Sequence, residues 1–196
     1  GSDIYWDKYY LNRDILNFYN VVPITDYWIS VNNEELVNVY TESVEDYAYS
    51  YEHGNGMREI LRPNAEKSKK WTSNIPRHIF SGWNQLEQQS DKLIITKGLK
   101  DCMVFKLFGV NSISPQSEMM FLNENQFELL SLRFDEIIIN YDNDETGISN
   151  MKKFSEKFGI RSFLIPDGIK DISDYISIKG YDQTKQLITK IKNYLL

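Results

Sequence analysis

Apolar positions follow two different patterns along the 196-residue chain, and the change falls near residue 90. Before it, aromatic side chains are dense and the apolar segments are short and irregular. After it, continuous apolar runs alternate with amphipathic segments of helical spacing. This change predicts two domains, a smaller α+β subdomain over residues 1–90 and an α/β domain over residues 91–196.

The first half is predicted to combine short helices with antiparallel strands. Apolar spacing over residues 5–20 is helical, and Pro23 closes that region. Short strands are expected at residues 27–31 and 36–40. Alternating residues on both sides of His53-Gly54-Asn55-Gly56 are typical of a β-hairpin, because glycine readily adopts the positive φ of its turn.

The second half is predicted to alternate strands with helices. The predicted strands are residues 93–96, 111–114, 136–141 and 160–165, and the predicted helices are residues 99–108, 124–132, 148–158, 172–178 and 183–195. Continuous apolar strands between helices are typical of a parallel sheet that is covered on both faces. Right-handed crossovers would then bring the carboxyl ends of all four strands to one edge.

Charged residues cluster at that predicted edge. Asp142 and Asp144 follow the third strand, and side chains at i and i+2 point the same way while the backbone stays extended. Two converging carboxylates repel each other, and a hard cation such as Mg²⁺ would relieve the repulsion. A plain strand-to-helix turn is the alternative, because Asp and Asn are common turn residues. Lys97, Glu118 and the Lys170-Asp171 pair also lie at or just beyond predicted strand ends.

Composition excludes several classes of protein. The single cysteine rules out a disulfide framework and a cysteine-based zinc site, and the two histidines lack ligand spacing. No apolar run approaches the roughly 20 residues of a membrane-spanning helix. No signal peptide is visible, so we expect a reducing cytoplasm. Gly1-Ser2 resembles the remnant of a cloning site, and from the abrupt start of the sequence we expect a piece of a longer protein.

The charge distribution says more than the net charge of −6, which as a sum disfavours nucleic acid. Between Met57 and His78 the chain carries two glutamates and a larger set of basic residues. That set is Arg58, Arg62, Lys67, Lys69, Lys70 and Arg77. Residues 135–147 carry five acids and no base. Together they fit a protein that binds a polyanion and concentrates metal ions, although a solvated surface loop is the alternative for the basic stretch.

Three ordered motifs resemble the TOPRIM domain of bacterial and phage primases, some topoisomerases and certain nucleases. They are Thr96-Lys97-Gly98-Leu99-Lys100-Asp101, Asp142-Asn143-Asp144-Glu145-Thr146-Gly147 and Lys170-Asp171-Ile172-Ser173-Asp174. The family signature has a strand that ends in Glu-Gly with an Asp three residues on, then a strand that ends in Asp-x-Asp. Phage primases often add a late Lys-Asp pair. The resemblance covers about residues 91–180, and the first half is more weakly similar to the subdomain that precedes TOPRIM in phage primases.

The chain departs from the signature at Lys97, where the family has its glutamate. A charged lysine cannot bind a metal ion and is a poor base. The site is then inactive, or Lys97 contacts a phosphate, or Glu118 supplies the missing carboxylate from the loop after the second strand. We favour Glu118 as the replacement. For both Glu118 and Asp101, a helix N-terminal acid that interacts with the helix dipole is the alternative.

The resemblance implies the catalytic core of a DNA primase, which makes RNA primers on single-stranded DNA. It implies two Mg²⁺ or Mn²⁺ ions held by Asp142, Asp144 and Asp171, with Glu118 and Lys97 as further catalytic candidates. Basic and aromatic side chains would line the groove for nucleotides and template, because they neutralise phosphates and stack on bases. These residues are Arg58, Arg62, Lys67, Lys69, Lys70, Trp71 and Lys170.

The expected partners are a single-stranded DNA template and nucleoside triphosphates, with a replicative helicase or a separate zinc-binding module, and no membrane. The expected location is the cytoplasm of a bacterial cell, with a cellular or phage-encoded gene. A TOPRIM nuclease would use the same acids, and a catalytically silent binding module is the alternative that Lys97 favours. A topoisomerase would need a further domain with a nucleophilic tyrosine. A flavodoxin-like phosphate acceptor would need five strands, and four are predicted.

Overall fold

The computed structural model describes residues 4–30, 32, 34–117 and 119–194. The chain divides into two compact units, Gly1–Tyr5 with Leu16–Ile75 and Trp6–Ile15 with Pro76–Leu196. The domain limits expected from sequence, residues 1–90 and 91–196, stay a prediction. None of the described helices is both long and apolar enough to cross a bilayer.

The first unit is built mainly from antiparallel strands. In chain order, the elements up to its end are α1 (Ile4–Asp7), α2 (Arg13–Phe18), β1 (Val21–Ile24), β2 (Asp26–Ile29), β3 (Val37–Thr41), β4 (Ala48–Gly54), β5 (Met57–Leu61) and β6 (Trp71–Ser73). A four-stranded sheet has the order β1-β4-β5-β6, and β2 pairs with β3. Tyr40, Ala48 and Ile60 form a small core in this unit.

The predicted hairpin is confirmed by the β4–β5 pair. Gly54 and Gly56 have φ values of 83° and 73°, and Asn55 between them has φ 52°. Glycine adopts such values without the steric cost of a Cβ, which explains the two glycines of the turn. The strands predicted at 27–31 and 36–40 correspond to β2 and β3, except that residue 31 lies outside the described part of the chain.

The second unit contains a parallel sheet flanked by helices, which confirms the predicted fold class. Its elements are β7 (Ser90–Ile95), α3 (Leu99–Leu107), β8 (Asn111–Ile113), α4 (Glu124–Ser131), β9 (Phe134–Ile139), α5 (Glu145–Phe158), β10 (Arg161–Ser162), α6 (Ile172–Lys179) and α7 (Tyr181–Tyr194). The strand order is β10-β9-β7-β8, and every pairing is parallel.

The central strands are apolar at successive positions because helices cover both faces of the sheet. Ile94 and Ile95 of β7 and Ile138 and Ile139 of β9 have no exposed surface. One face packs against a cluster that includes Phe154 of α5. These two strands therefore form a firm base for the loops that follow them.

The fourth predicted strand is shorter than expected. Residues 160–165 were predicted, but β10 covers only Arg161–Ser162. The amide N–H of Phe163 still donates to the carbonyl of Ile139 at 3.2 Å. Beyond that point the side chain of Asn140 donates to the carbonyl of Phe163 at 3.0 Å, so a side chain replaces the strand pairing.

Candidate metal centre

Three carboxylates converge at the carboxyl edge of the parallel sheet. Ligand oxygens of Asp101, Asp142 and Asp171 all lie within 4.8 Å of one another. Asp101 is in the first turn of α3, Asp142 follows β9, and Asp171 is the N-cap of α6. Because loops that follow parallel strands meet at one edge, residues far apart in sequence form one cluster.

Each of these carboxylates has one oxygen held by the protein. Oδ1 of Asp101 accepts hydrogen bonds from the amide of Ser173 at 3.2 Å and from the Ser173 hydroxyl. Oδ2 of Asp142 lies 3.0 Å from Nζ of Lys170. Oδ1 of Asp171 accepts from the amide of Asp174 at 2.7 Å. Among the described residues, these contacts leave the second oxygen of each acid available as a ligand.

Burial and like charge perturb this cluster. Asp101 is 5% exposed. Burial, followed by the charge of Asp171, raises the pKa of Asp101 to about 8, against the effect of the Ser173 hydrogen bond. Burial is also the main cause of the raised pKa of Asp171. Ionised together, the acids repel one another, and a divalent cation would offset that cost.

The donor set fits a hard divalent cation. Three carboxylate oxygens from separate segments suit Mg²⁺ or Mn²⁺, which prefer oxygen ligands and retain several waters. The available oxygens belong to side chains that are already oriented by hydrogen bonds from α6 and from Lys170. The residues that would hold such an ion are therefore Asp101, Asp142 and Asp171.

Two lysines partly balance the acids. Burial alone would lower the pKa of Lys170, but its hydrogen bond to Asp142 and the charges of Asp142, Asp171 and Asp144 raise it. Burial alone would likewise lower the pKa of Lys100, but its interactions with Tyr9 and Asp101 raise it. Nζ of Lys100 donates to the Tyr9 hydroxyl at 3.1 Å and lies 4.2 Å above the ring.

Of the three predicted metal ligands, Asp142 and Asp171 lie in the cluster with Asp101, whereas Asp144 lies outside it. Oδ1 of Asp144 accepts from the amide of Gly147 at 2.8 Å and caps α5. The expected convergence needs an extended backbone, but β9 ends at Ile139, before either aspartate. Asp144 still attracts Lys170, and its role as a metal ligand stays a prediction.

The two other predicted catalytic residues stay predictions as well. Glu118 lies outside the described residues. Lys97 is half-buried in the short connection between β7 and Gly98, the N-cap of α3. Lys170 pairs with Asp142 in this structure, and its contact with a phosphate stays a prediction.

Three predicted groove residues take part in ion pairs of the first unit, and the pair of Lys69 with Glu66, at 3.9 Å, is exposed. Arg58 pairs with Glu52 at 3.5 Å. Arg62 pairs with Asp46, with Nε 3.4 Å from Oδ1, and its guanidinium lies 5.1 Å from the Tyr40 ring. For Arg62 this arrangement indicates a structural role beside the predicted one.

The groove candidates between residues 67 and 71 differ in exposure. Lys67 and Lys69 are exposed, and Lys70 is half-buried. Trp71 is 45% exposed and tilts against Tyr51 with ring centroids 5.8 Å apart. Binding of nucleotide or DNA by these side chains stays a prediction.

Sequence reasoning left three important residues out of the predicted site. For Asp101 the sequence leaves two interpretations open, a family acid that binds metal and a helix N-terminal acid, and Asp101 is not among the predicted metal ligands. Ser173, its hydrogen-bond donor, has no predicted role beyond its place in a motif. Gly147 was noted as a motif residue without a role. A Cβ on Gly147 would overlap the carbonyl oxygen of Asp142, so glycine allows α5 to approach the loop that carries this acid.

A family profile described as Toprim-like matches residues 94–176. A search of curated protein sequences found no match. Among solved structures, the Aquifex aeolicus primase with its zinc-binding and RNA polymerase domains is similar, with 15% identity and a TM-score of 0.68 over 96% of this chain and 55% of that one. A DnaG primase catalytic domain bound to single-stranded DNA gives 12% identity and a TM-score of 0.69 over 95% and 72% of the two chains.

A DnaG catalytic core gives 13% identity and a TM-score of 0.71 over 95% of this chain and 71% of that one. At such identities the likeness establishes the fold, and function has to be argued from the site. The chain thus spans about half of the A. aeolicus structure. Residues 94–176 match a Toprim-like profile, within a chain whose fold is similar to that of DnaG primase catalytic cores.

Proposed function

We propose that this chain is the catalytic core of a DNA primase, which joins ribonucleotides on a single-stranded DNA template in a reaction that needs Mg²⁺ or Mn²⁺. The observation that carries the proposal is the cluster of Asp101, Asp142 and Asp171 at the carboxyl edge of a Toprim-like sheet. A DnaG primase catalytic domain of similar fold has been seen with single-stranded DNA, which supports the same class of substrate here.

Asp101, Asp142 and Asp171 would hold the divalent ion, and Asp144 is a further candidate ligand. When bound, such an ion would lower the pKa of the attacking 3′-hydroxyl and stabilise charge on the triphosphate. The protein itself contributes orientation, because the amides of Ser173 and Asp174 fix the carboxylates of Asp101 and Asp171. Burial of Asp101 keeps bulk water from screening the charges of the site.

The first unit would bind template and nucleotide. Lys67, Lys69 and Lys70 carry charges that can neutralise phosphates, and the exposed ring of Trp71 can stack on a base. Nucleoside triphosphates and single-stranded DNA are the proposed substrates. A replicative helicase or a zinc-binding module is a proposed further partner, and bacterial or phage replication is the proposed setting.

The decisive experiment is primer synthesis with labelled ribonucleotides, single-stranded DNA and Mg²⁺ or Mn²⁺. We expect RNA oligomers from the natural sequence, and at least a ~100-fold loss with the isosteric change Asp142→Asn, since one metal ligand is removed. Asp167→Asn is the matched control, because Asp167 is exposed and pairs only with Lys179 among the described residues. Synthesis that survives Asp142→Asn would contradict the proposal.

Lys97 favours one alternative, a catalytically silent module that binds nucleic acid. Such a protein would bind single-stranded DNA without making RNA, and Asp142→Asn would leave its affinity unchanged. A nuclease that uses the same acids would shorten the DNA in the same reaction. Gel analysis of both labelled strands therefore separates the three functions in one experiment.

A further inference from the structure

We propose that the ammonium group of Lys170 acts as a built-in second cation of the acidic edge, so that the centre takes one divalent ion rather than two. The inference rests on the proposed function, because that function requires a divalent ion at the same site. It concerns how many ions the centre holds and which side chain sets that number.

The position of Lys170 carries the inference. Its Nζ lies 3.0 Å from Oδ2 of Asp142, and the charges of Asp171 and Asp144 also act on it. The ammonium group thus forms an ion pair with Asp142 and is also attracted by the charges of two neighbouring aspartates. A positive charge that is shared among several carboxylates is what a second divalent ion would otherwise provide.

The backbone holds Lys170 at this place. The amide of Asn143 donates to the carbonyl of Lys170 at 2.7 Å, which ties the loop after β9 to the segment before α6. The side chain of Asn143 reaches the carbonyl of Ile165 at 3.4 Å. Because the two loops are joined next to Asp142, its ion pair with Lys170 does not depend on a long flexible segment.

The supply of oxygen ligands also limits the number of ions. Within the described part of the chain, Asp101, Asp142 and Asp171 each keep one oxygen out of hydrogen bonds and ion pairs. Three such oxygens, with waters or phosphate oxygens, complete the octahedral shell of one ion. A second ion would have to share Asp142, whose other oxygen is held by Lys170, or use Asp144, whose Oδ1 is engaged in capping α5.

The charge balance points the same way. The three clustered aspartates are partly neutralised by Lys100 and Lys170, and Asp144 adds one further negative charge near Lys170. One divalent ion brings these groups close to neutrality. A second would leave a net excess of positive charge beside the buried Asp101, where uncompensated charge is costly.

The test counts Mn²⁺ ions bound per chain, by electron paramagnetic resonance of free Mn²⁺ and by calorimetry. The variant is Lys170→Met, which keeps the length of the side chain and removes its charge. Lys179→Met is the matched control, because Lys179 is also ion-paired to an aspartate, with Nζ 2.8 Å from Oδ2 of Asp167. Circular dichroism checks the fold, and Lys170→Gln replaces Lys170→Met if the latter does not fold.

We expect one Mn²⁺ for the natural sequence and for Lys179→Met, and two for Lys170→Met, with the dissociation constant of the second ion lowered at least ~10-fold. Two ions of similar affinity in the natural sequence would overturn the inference while leaving the proposed function intact. One ion in Lys170→Met would also overturn it. No Mn²⁺ binding to the natural sequence would overturn the proposed function together with the inference.

Discussion

Replacing Asp101 with asparagine is expected to stabilise the metal-free protein at neutral pH. Asp101 is buried beside two other acids, and burial is the main reason that its pKa rises to about 8. Asparagine has the same shape, and its side-chain oxygen can still accept the hydrogen bonds from Ser173. The change therefore removes the cost of a buried charge and keeps the local packing.

The size of the effect follows from the two pKa values of Asp101. An ordinary value of 3.8 in the unfolded chain and about 8 in the folded one mean that folding takes up a proton between these pH values. Proton uptake by Asp101 stabilises the folded state. This stabilisation is fully present below the lower pKa and is lost as the pH rises, by about 1.4 kcal/mol per pH unit. Between about pH 5 and about pH 7 the loss reaches an upper limit of about 3 kcal/mol.

Urea unfolding with EDTA present measures this effect. We compare the free energy of unfolding of Asp101→Asn with that of the natural sequence. The difference in favour of the variant should grow by about 1–3 kcal/mol as the pH rises from about 5 to about 7. Asp167→Asn, at an exposed ion-paired acid, should follow the natural sequence. Saturating Mn²⁺ should raise the unfolding midpoint of the natural sequence and leave that of Asp101→Asn nearly unchanged, because a ligand is missing.

The reasoning would be refuted if the two proteins lost stability in parallel over this pH range. Parallel curves would mean that Asp101 has the same proton affinity in the folded and the unfolded chain. Burial and the charge of Asp171 would then not perturb the pKa of Asp101. A variant that is less stable than the natural sequence at every pH would likewise contradict a cost of charge burial.

Three further changes test how the centre is held. Gly147→Ala should destabilise the fold by about 1–3 kcal/mol in urea and weaken Mn²⁺ binding, because its Cβ would overlap the carbonyl oxygen of Asp142. Asp144→Ala should cost about 0.5–2 kcal/mol, because α5 loses its N-cap. Lys92→Met should cost about 1–3 kcal/mol by thermal or urea unfolding, because it leaves the partly buried Glu136 without its buried charge partner.

Two of these changes have a milder control. Gly98→Ala should be mild, since a Cβ there would lie 3.5 Å from Oδ2 of Asp101, an ordinary contact. Asp144→Ser should retain most of the capping energy, and a loss as large as that of Asp144→Ala would contradict the capping role. A Gly147→Ala protein with natural stability, or a Lys92→Met protein more stable than the natural sequence, would refute the corresponding argument.

The parallel sheet could be predicted because its central strands are marked in the sequence. Ile94, Ile95, Ile138 and Ile139 lie in uninterrupted apolar runs, which only a strand buried on both faces requires at this length. The predicted fourth strand was too long because nothing in its own sequence reveals competition from a side chain. Asn140, on a neighbouring strand end, takes the hydrogen bond that would have continued the pairing.

The candidate site could be predicted only in part because one residue type serves two purposes. Aspartate is both a good metal ligand and a good helix N-cap, so the motif alone does not separate Asp142 from Asp144. The separation depends on where β9 ends, and this is set by packing rather than by the motif. Asp101 was underestimated for a related reason, since its contact with Ser173 joins helices that lie 72 residues apart.

Pairing between residues far apart in sequence also explains why the roles of the basic residues in the first unit could not be predicted. The basic stretch suggested a set of equivalent phosphate contacts, but Arg62 pairs with Asp46, 16 residues earlier in the chain. No local sequence pattern predicts that ion pair. Lys67 and Lys69, which lie in the same stretch and are exposed, are better candidates for phosphate binding than Arg62.

The acidic edge combines fixed and adjustable charges. Asp101 and Asp171 are held by hydrogen bonds from α6, and Asp142 is positioned by the close approach of Gly147, so these acids cannot separate to relieve their repulsion. The buried C-terminal halves of β7 and β9 lie directly before the segments that carry Asp101 and Asp142 and make such separation costly. Lys170 is about half exposed and ends in a flexible stem, so it can move when a ligand binds. A rigid acidic cluster beside a cation that can adjust its position is therefore suited to keep this internal counter-ion while it accommodates one metal ion and a triphosphate.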